Sequence, residues 1–303
     1  MNEDRQKFAK SFGSVADAYD NARPDYPAAA ADWLVHGAGG GSDPRTVLEL
    51  GAGTGLLTER LTGHRLIATD PAVEMLAKLR ERLPRARVLA STAEQIPLPS
   101  RTFDIVVAAQ AFHWFDHPVA FPEMARVLRP DGHLALVWNI PDESTPWVRK
   151  LQRIVPRPVS HDEDMAPMRE TPYFGFVEEQ TFRSWKSVTR DDLLNLIRSR
   201  SPFAVADEDT KASMLEQVSA LYDDYDRGFA GLQMPYVTRC YRARVLRQDA
   251  IHSRGPAPRP GQGRNRPKTP SPAAASPTAP PAVPPTTPPE PPEDDATLLI
   301  DFR

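Results

Sequence analysis

The chain has 303 residues, 40% hydrophobic and 25% charged, with a formal net charge of −3, the balance of a soluble globular protein of one large or two small domains. A total this near neutral excludes a global field toward nucleic acid or a membrane surface, and no apolar run approaches the roughly 20 residues of a membrane span. Cys240 is the only cysteine, so no intrachain disulfide can form, and the polar start Met1-Asn2-Glu3-Asp4 lacks a secretory apolar stretch; together these make a cytoplasmic protein the expectation.

In chain order, helical patterns are expected over 5–21 and Ala28–His36, flanking Arg23-Pro24-Asp25-Tyr26-Pro27. Apolar runs then alternate with helical patterns. Strands are expected at Thr46–Leu50, 65–69, 87–89, Phe103–Ala109 and 133–139, the last preceded by the turn Arg129-Pro130-Asp131-Gly132. Helices are expected over 54–61, 72–83 and 118–128. Strands this apolar, separated by helices, predict a parallel sheet covered on both faces. Beyond Asn139 the pattern loosens. Strands are expected over 177–188 and 235–245, and helices over 191–198 and 210–226. Trp147, Trp185 and these helices are expected to build a cap, with both tryptophans in its core.

Of the 33 prolines, 15 fall between residues 255 and 296, among Ala, Ser and Thr. That stretch holds too little apolar surface to offset its ordering entropy, so a disordered tail of polyproline II character is expected over 251–303. Proline segments of this kind suit SH3-like protein partners. A basic run, Arg239 to Lys268, precedes an acidic one, Glu290 to Asp295, with no aromatic interleaving. It reads as solubilising rather than as a nucleic-acid contact.

The first strand runs into Glu49-Leu50-Gly51-Ala52-Gly53-Thr54-Gly55. Glycines at a strand-to-helix turn permit positive φ and close backbone approach, and the helix start favours an anion. A dinucleotide pyrophosphate and a methionine carboxylate both qualify. A dinucleotide fingerprint places its third glycine where this chain has Leu56. Asp70, 19 residues after Gly51, can take two ribose hydroxyls, as an acid near this place does in dinucleotide enzymes. Its alternative is a helix N-cap.

Further motifs follow: Ser91-Thr92-Ala93-Glu94-Gln95-Ile96-Pro97, Phe103-Asp104-Ile105-Val106, Gln110-Ala111-Phe112-His113-Trp114-Phe115-Asp116 and Arg126-Val127-Leu128-Arg129-Pro130-Asp131-Gly132. With Glu-x-Gly-x-Gly-x-Gly they resemble the ordered motif series of class I S-adenosylmethionine-dependent methyltransferases of the type 11 domain. The trans-aconitate methyltransferase-like branch is the most similar. Phe12-Gly13-Ser14-Val15-Ala16, Arg23 to Pro27 and Tyr236-Val237-Thr238-Arg239-Cys240-Tyr241 are similar to that branch too, so the resemblance covers about residues 8–245.

The resemblance implies an α/β, Rossmann-like, doubly wound seven-stranded sheet with the last strand antiparallel, a helical cap and the proline-rich tail. Residues 1–250 would form the methyltransferase domain, with N-terminal helices in 1–40, a core in 45–140 and cap and last strands in 141–250. The cofactor implied is S-adenosylmethionine, and the reaction is O-, N- or C-methylation of a small-molecule acceptor, a carboxylate among the options. Gly51, Ala52, Gly53 and Gly55 would wrap the methionine end and Glu49 would orient its amino group. Asp70, with Pro71 beside it, would hold the ribose. Thr92 and Ala93 would meet the adenine, and Gln110 would lie beside the cofactor. Many relatives carry Asp at the position of Thr92, and a hydroxyl cannot match a carboxylate as acceptor, which leaves that contact to the backbone. Tyr19, Arg23 and Tyr26 are either a lid over the cofactor or a staple for the first helix.

His113 sits where an acceptor would meet the methyl group. An imidazole there is either a general base or a pocket wall beside Trp114 and Phe115, and the wall is preferred because residue type does not fix geometry. His113 and His117 have helical ligand spacing, and His161-Asp162-Glu163-Asp164 is acidic, but neither offers the ligand set of a metal, so no metal is expected. The rivals are a dinucleotide-dependent oxidoreductase and a non-catalytic binding module of the same fold.

Overall fold

The computed structural model describes residues 23–155, 161–198, 200–225 and 231–246. The helix expected over 5–21, Tyr19 and the tail lie outside them. Seven strands are described: β1 (Thr46–Leu50), β2 (Arg65–Asp70), β3 (Arg87–Ala90), β4 (Phe103–Ala109), β5 (Leu128–Pro141), β6 (Phe174–Val188) and β7 (Leu232–Val245). They form one sheet in the order β3-β2-β1-β4-β5-β7-β6. β1 to β5 pair in parallel, and β7 runs antiparallel to both β5 and β6.

The uninterrupted apolar runs have their reason in the two covered faces. Side chains alternate between faces along a strand. Leu48, Leu50, Val106, Leu134 and Leu136 pack against Phe121, Met124 and Ala125 of helix α4 (His117–Val127). Val47, Ile105, Val107, Ala135 and Val137 pack against Leu34 and Val35 of α1 (Ala28–His36) and Leu57 of α2 (Leu56–Arg60). Every β1 residue is therefore buried. α3 (Val73–Arg82) covers β2 and β3 through Leu76 and Leu79.

Two local expectations change. The helix expected over 54–61 is a single turn, because Gly55 caps its start at φ 91° and the chain already leaves the helix at Leu61. The turn at Arg129 to Gly132 is absorbed into β5, whose first residue Leu128 pairs with Phe103 before the register shifts ahead of Ile105. Asp131 takes φ 67° within that irregularity.

The helices after β5 are α5 (Pro146–Ile154), α6 (His161–Glu170), α7 (Arg190–Arg198), α8 (Ser201–Val205) and α9 (Glu208–Tyr225). Trp147 and Leu151 of α5, Leu193 and Ile197 of α7, and Val218 and Leu221 of α9 share a second core with Val188 and Met234. This helical cap rises beside the carboxyl end of β5, where Pro141 pairs with Tyr236. Trp147 is in its core as expected, but Trp185 is 64% exposed. β6 is the sheet's edge, and Trp185 shares the open face of that strand with Thr181 and Arg183. The basic run is likewise broken up by what lies over each residue: Arg242 and Arg244 share one face of β7, and Trp33 of α1 and Gly37 lie against Arg242. Arg244 points to solvent while Arg242 is 5% exposed. No described helix is long and apolar enough to cross a membrane.

Candidate functional site

The carboxyl ends of β1, β2 and β4 converge on the glycine turn. Gly51 adopts φ 67°, and a Cβ there would lie 2.6 Å from the Cβ of Ala111, just past β4. The turn therefore packs directly on the β4 exit. Gly53 adopts φ 56°, yet a Cβ there would meet nothing within 4 Å, so its backbone borders open space. The buried Ala52 donates its N–H to Thr69 O at 2.9 Å, which ties the turn to β2. Gly55 passes over Leu79, whose Cγ would lie 2.8 Å from a Cβ.

Glu49 stands under the turn and is 1% exposed. The Thr58 hydroxyl donates to its Oε2 at 2.7 Å. Oε1 is buried with no hydrogen-bond partner among the described residues. Burial pushes the Glu49 carboxyl up to about 8, against the pull of Thr58 and with a further push from Asp70. A buried carboxyl oxygen of this kind has hydrogen-bonding capacity that no described residue uses. Residue type and spacing pointed to Glu49, but no sequence signal marked Thr58 as its partner.

Asp70 ends β2. Its Oδ2 accepts the N–H of Gly53 at 2.9 Å and its Oδ1 that of Ala72 at 2.8 Å. The N-cap of α3 is Ala72, not Asp70, so the capping alternative fails and the carboxylate instead joins the glycine turn to the β2 exit. Burial raises the Asp70 carboxyl above its ordinary range, against those two N–H bonds. Pro71 is exposed beside it.

Thr92 and Ala93 follow β3, which pairs with β2 at Asp70 and Ala90. Thr92 is half-buried and bridges to Gln95, while Ala93 is 4% exposed and enters the core with Ile96. The Ser91 Oγ is buried without a partner among the described residues. The segment is held by α4. Glu123 accepts the Ile96 N–H at 3.0 Å, and Arg126 donates to Ile96 O at 2.7 Å, Leu98 O at 2.9 Å and Glu123 itself. This anchor was not foreseen, because its partners lie about 30 residues upstream of Arg126.

Gln110 leaves β4 at φ 55°. Its Nε2 donates to Asn139 O at 3.1 Å, so the side chain turns toward the β5 end. The Asn139 side chain is a second unforeseen hub. It accepts the Thr238 hydroxyl at 2.6 Å and donates toward Pro24 O and Asp25 O at 3.2 and 3.3 Å. Lys186 Nζ binds Arg23 O at 2.8 Å, and Tyr26 is buried against α1. The described part of the N-terminal segment is thus stapled to the sheet.

His113 lies exposed in a short 3₁₀ turn, Phe112–Trp114, with its ring 4.8 Å from that of Trp114. His117 Nε2 contacts Phe112 O at 3.0 Å and its ring stacks on Phe121. The two histidines thus serve different surroundings. Among the described residues no group of three or more His, Cys, Asp or Glu is placed to hold a metal ion.

Residues 48–136 match a family described as methyltransferase domain. An uncharacterized methyltransferase of Mycobacterium tuberculosis is 41% identical over 247 residues, covering 80% of this chain and 99% of the relative. A malonyl-[acyl-carrier protein] O-methyltransferase of Yersinia pestis is 35% identical over 135 residues, 44% of this chain and 50% of its own. A solved structure of a candidate type II methyltransferase from Anaeromyxobacter dehalogenans aligns with TM-score 0.58 at 25% identity, covering 74% of this chain and 98% of that one.

Proposed function

This chain belongs to the class I S-adenosylmethionine-dependent methyltransferases, and from that premise we propose that it methylates a small molecule carrying a carboxylate, held at the carboxyl ends of β4 and β5 beneath the helical cap. The observation that carries the cofactor half is the idle Glu49 Oε1 beside an open glycine turn that Asp70 braces. The residues fit the family's cofactor. Glu49 Oε1 receives the amino group of the methionine end, which Gly51, Ala52, Gly53 and Gly55 wrap. Each Asp70 oxygen uses one lone pair on a backbone N–H and keeps another for a ribose hydroxyl. Thr92 and Ala93 border the adenine, with Ser91 Oγ as a further idle group. When bound, S-adenosylmethionine supplies a sulfonium methyl group open to direct displacement by an acceptor lone pair.

The acceptor half rests on charge. Tyr236 sits at the β5–β7 exit, buried, its hydroxyl pushed up to about 12 by desolvation against the pull of Arg200 and Arg23. Arg200, whose Nη1 binds Gln152 Oε1 at 2.9 Å and Val155 O at 3.2 Å, and Arg23 bring positive charge toward that hydroxyl, which favours an anionic acceptor. A carboxylate is its own nucleophile and needs no base, in keeping with the exposure of His113. The Yersinia relative, an O-methyltransferase by name, supports oxygen as the methylated atom. Tyr19, outside the described residues, and Arg23 are assigned to the cofactor as a lid. Membership in the methyltransferases removes the oxidoreductase alternative.

The test is a thermal-shift titration with S-adenosylhomocysteine, followed by transfer of labelled methyl from S-adenosylmethionine to a panel of carboxylates, amines and phenols. Stabilisation by S-adenosylhomocysteine with label entering carboxylates is the expected result. Stabilisation with label entering only amines or phenols would keep the cofactor site and discard the acceptor.

A further inference from the structure

At the end of the sheet opposite the glycine turn, a cavity of about 210 Å³ opens between the start of β4, the end of α1 and β7. His36, Arg45, Asp104, Asp131, His133 and Arg242 line it. Arg242 is 5% exposed, and among the described residues its Nε has no hydrogen-bond partner and no carboxylate lies within ion-pair distance of it. The guanidinium lies 5.7 Å from the Trp33 ring centre and so close to Gly37 that a Cβ there would meet Nη1 at 2.0 Å. Gly37 thus leaves room for a buried cation, and its φ of 78° adds a second reason for glycine.

The acids nearby are already engaged. Asp104 accepts Arg129 on Oδ1 and the Thr46 N–H on Oδ2, both at 2.8 Å. Asp131 pairs with Arg244 at 3.3 Å, and Asp32 faces His36 at 4.0 Å. Glu178 attracts Arg242 from the neighbouring strand, while Arg45 and Arg244 repel it. Burial, with these repulsions, pulls the Arg242 guanidinium below its ordinary range. Burial and the same arginines Arg242 and Arg244 also pull His133 down to about 4, so its ring is neutral at pH 7 and free to donate one N–H. A buried guanidinium that only the exposed Glu178 attracts is costly, and an anion from solution would add a counter-charge on the cavity side.

We propose that this cavity is a second ligand site, which binds a small phosphate-bearing anion through Arg242 and Arg45, with His133 as a neutral donor. Arg242 reaches from β7 and Arg45 from the loop before β1, so two forks converge from two elements. That arrangement suits a tetrahedral anion with several oxygens better than a planar one. The site lies a sheet's length from the cofactor turn and does not rest on the methyl-transfer reading.

The experiment titrates inorganic phosphate into the full chain by calorimetry and thermal shift, with sodium chloride at matched ionic strength as control. Saturable phosphate binding is expected, weakened about tenfold in Arg45→Ala, the loss of roughly one charge-assisted contact. Arg45 is exposed, so that variant should fold and keep the response to S-adenosylhomocysteine. Arg242→Met should abolish phosphate binding; should it fail to fold, Arg45→Ala still decides. Glycerol 3-phosphate binding more tightly than phosphate identifies an organic phosphate as occupant, and the reverse identifies the free ion. An equal response to chloride, acetate binding as tight as phosphate, or unchanged phosphate affinity in Arg45→Ala would each overturn the proposal.

Discussion

Thr58 donates its hydroxyl proton to one oxygen of Glu49 at 2.7 Å and leaves the other oxygen buried and idle. In the free protein that carboxyl titrates at about 8, against 4.5 for an ordinary glutamate. Between those values the folded chain keeps a proton that the unfolded chain has released. Stability of the free protein should therefore fall as pH rises from about 4.5 through 8. A cofactor ammonium beside Glu49 favours the carboxylate, so S-adenosylhomocysteine affinity should rise over the same window, with a proton released on binding. Denaturant melts and calorimetry in buffers of different ionisation enthalpy read both slopes. Glu49→Gln should flatten them and weaken binding by about tenfold or more, the loss of one charge-assisted contact. A wild-type slope in that variant would place the titration elsewhere.

Asp70 makes the second test. Its two oxygens hold the N–H groups of Gly53 and Ala72. Asp70→Ala strips both acceptors from part-buried N–H groups, at a cost to stability of about 0.5–1.5 kcal/mol for each bond lost. The variant should melt earlier and show no stabilisation by S-adenosylhomocysteine. Loss of stability with the ligand response intact would make Asp70 a brace for the turn and nothing more.

Gly51 and Gly53 separate folding from ligand contact. Both hold positive φ, which costs an alanine about 1–2 kcal/mol. Only at Gly51 would the methyl group also strike Ala111, at 2.6 Å, while at Gly53 it would enter open space. Gly51→Ala should therefore destabilise by about 2–4 kcal/mol, strain and overpacking together. Gly53→Ala should lose about 1–2 kcal/mol, the strain alone. Yet Gly53→Ala should weaken S-adenosylhomocysteine more than its stability loss explains, because its methyl group fills space on the cofactor side. Melts and titrations on the pair settle the order.

The strands, the glycine turn and Asp70 were legible because each rests on local chemistry. β4 was read residue for residue, since a continuous apolar run between turns has one solution in a doubly covered sheet. Contacts between distant segments carried no such mark. Thr58 is an ordinary helix residue until the one-turn α2 swings it under Glu49. Arg126 reads as a surface arginine until its fork closes on Ile96 and Leu98. Trp185 and Arg242 were misjudged for the same reason. Composition gives neither which strand forms the edge nor where a helix end lies on the sheet, and those two facts expose the tryptophan and bury the arginine against Trp33 and Gly37.

Asn139 offers the last prediction. Its amide oxygen takes the Thr238 hydroxyl, and its Nδ2 faces the carbonyls of Pro24 and Asp25. No apolar residue can replace both roles. Asn139→Ala leaves the buried Thr238 hydroxyl without its acceptor, at about 1–3 kcal/mol, and frees the N-terminal segment. Asn139→Asp keeps the acceptor but loses the donor, and it faces two carbonyls with a negative charge. The introduced carboxyl regains a donor only when protonated, so its folded pKa rises above the unfolded value. The Asn139→Asp variant should be least stable at high pH and recover as pH falls. Hydrogen exchange at residues 25–31 should speed up in both variants, and in Asn139→Asp the effect should shrink in acid. Unchanged exchange there would mean that burial of Tyr26 against α1 holds the segment by itself.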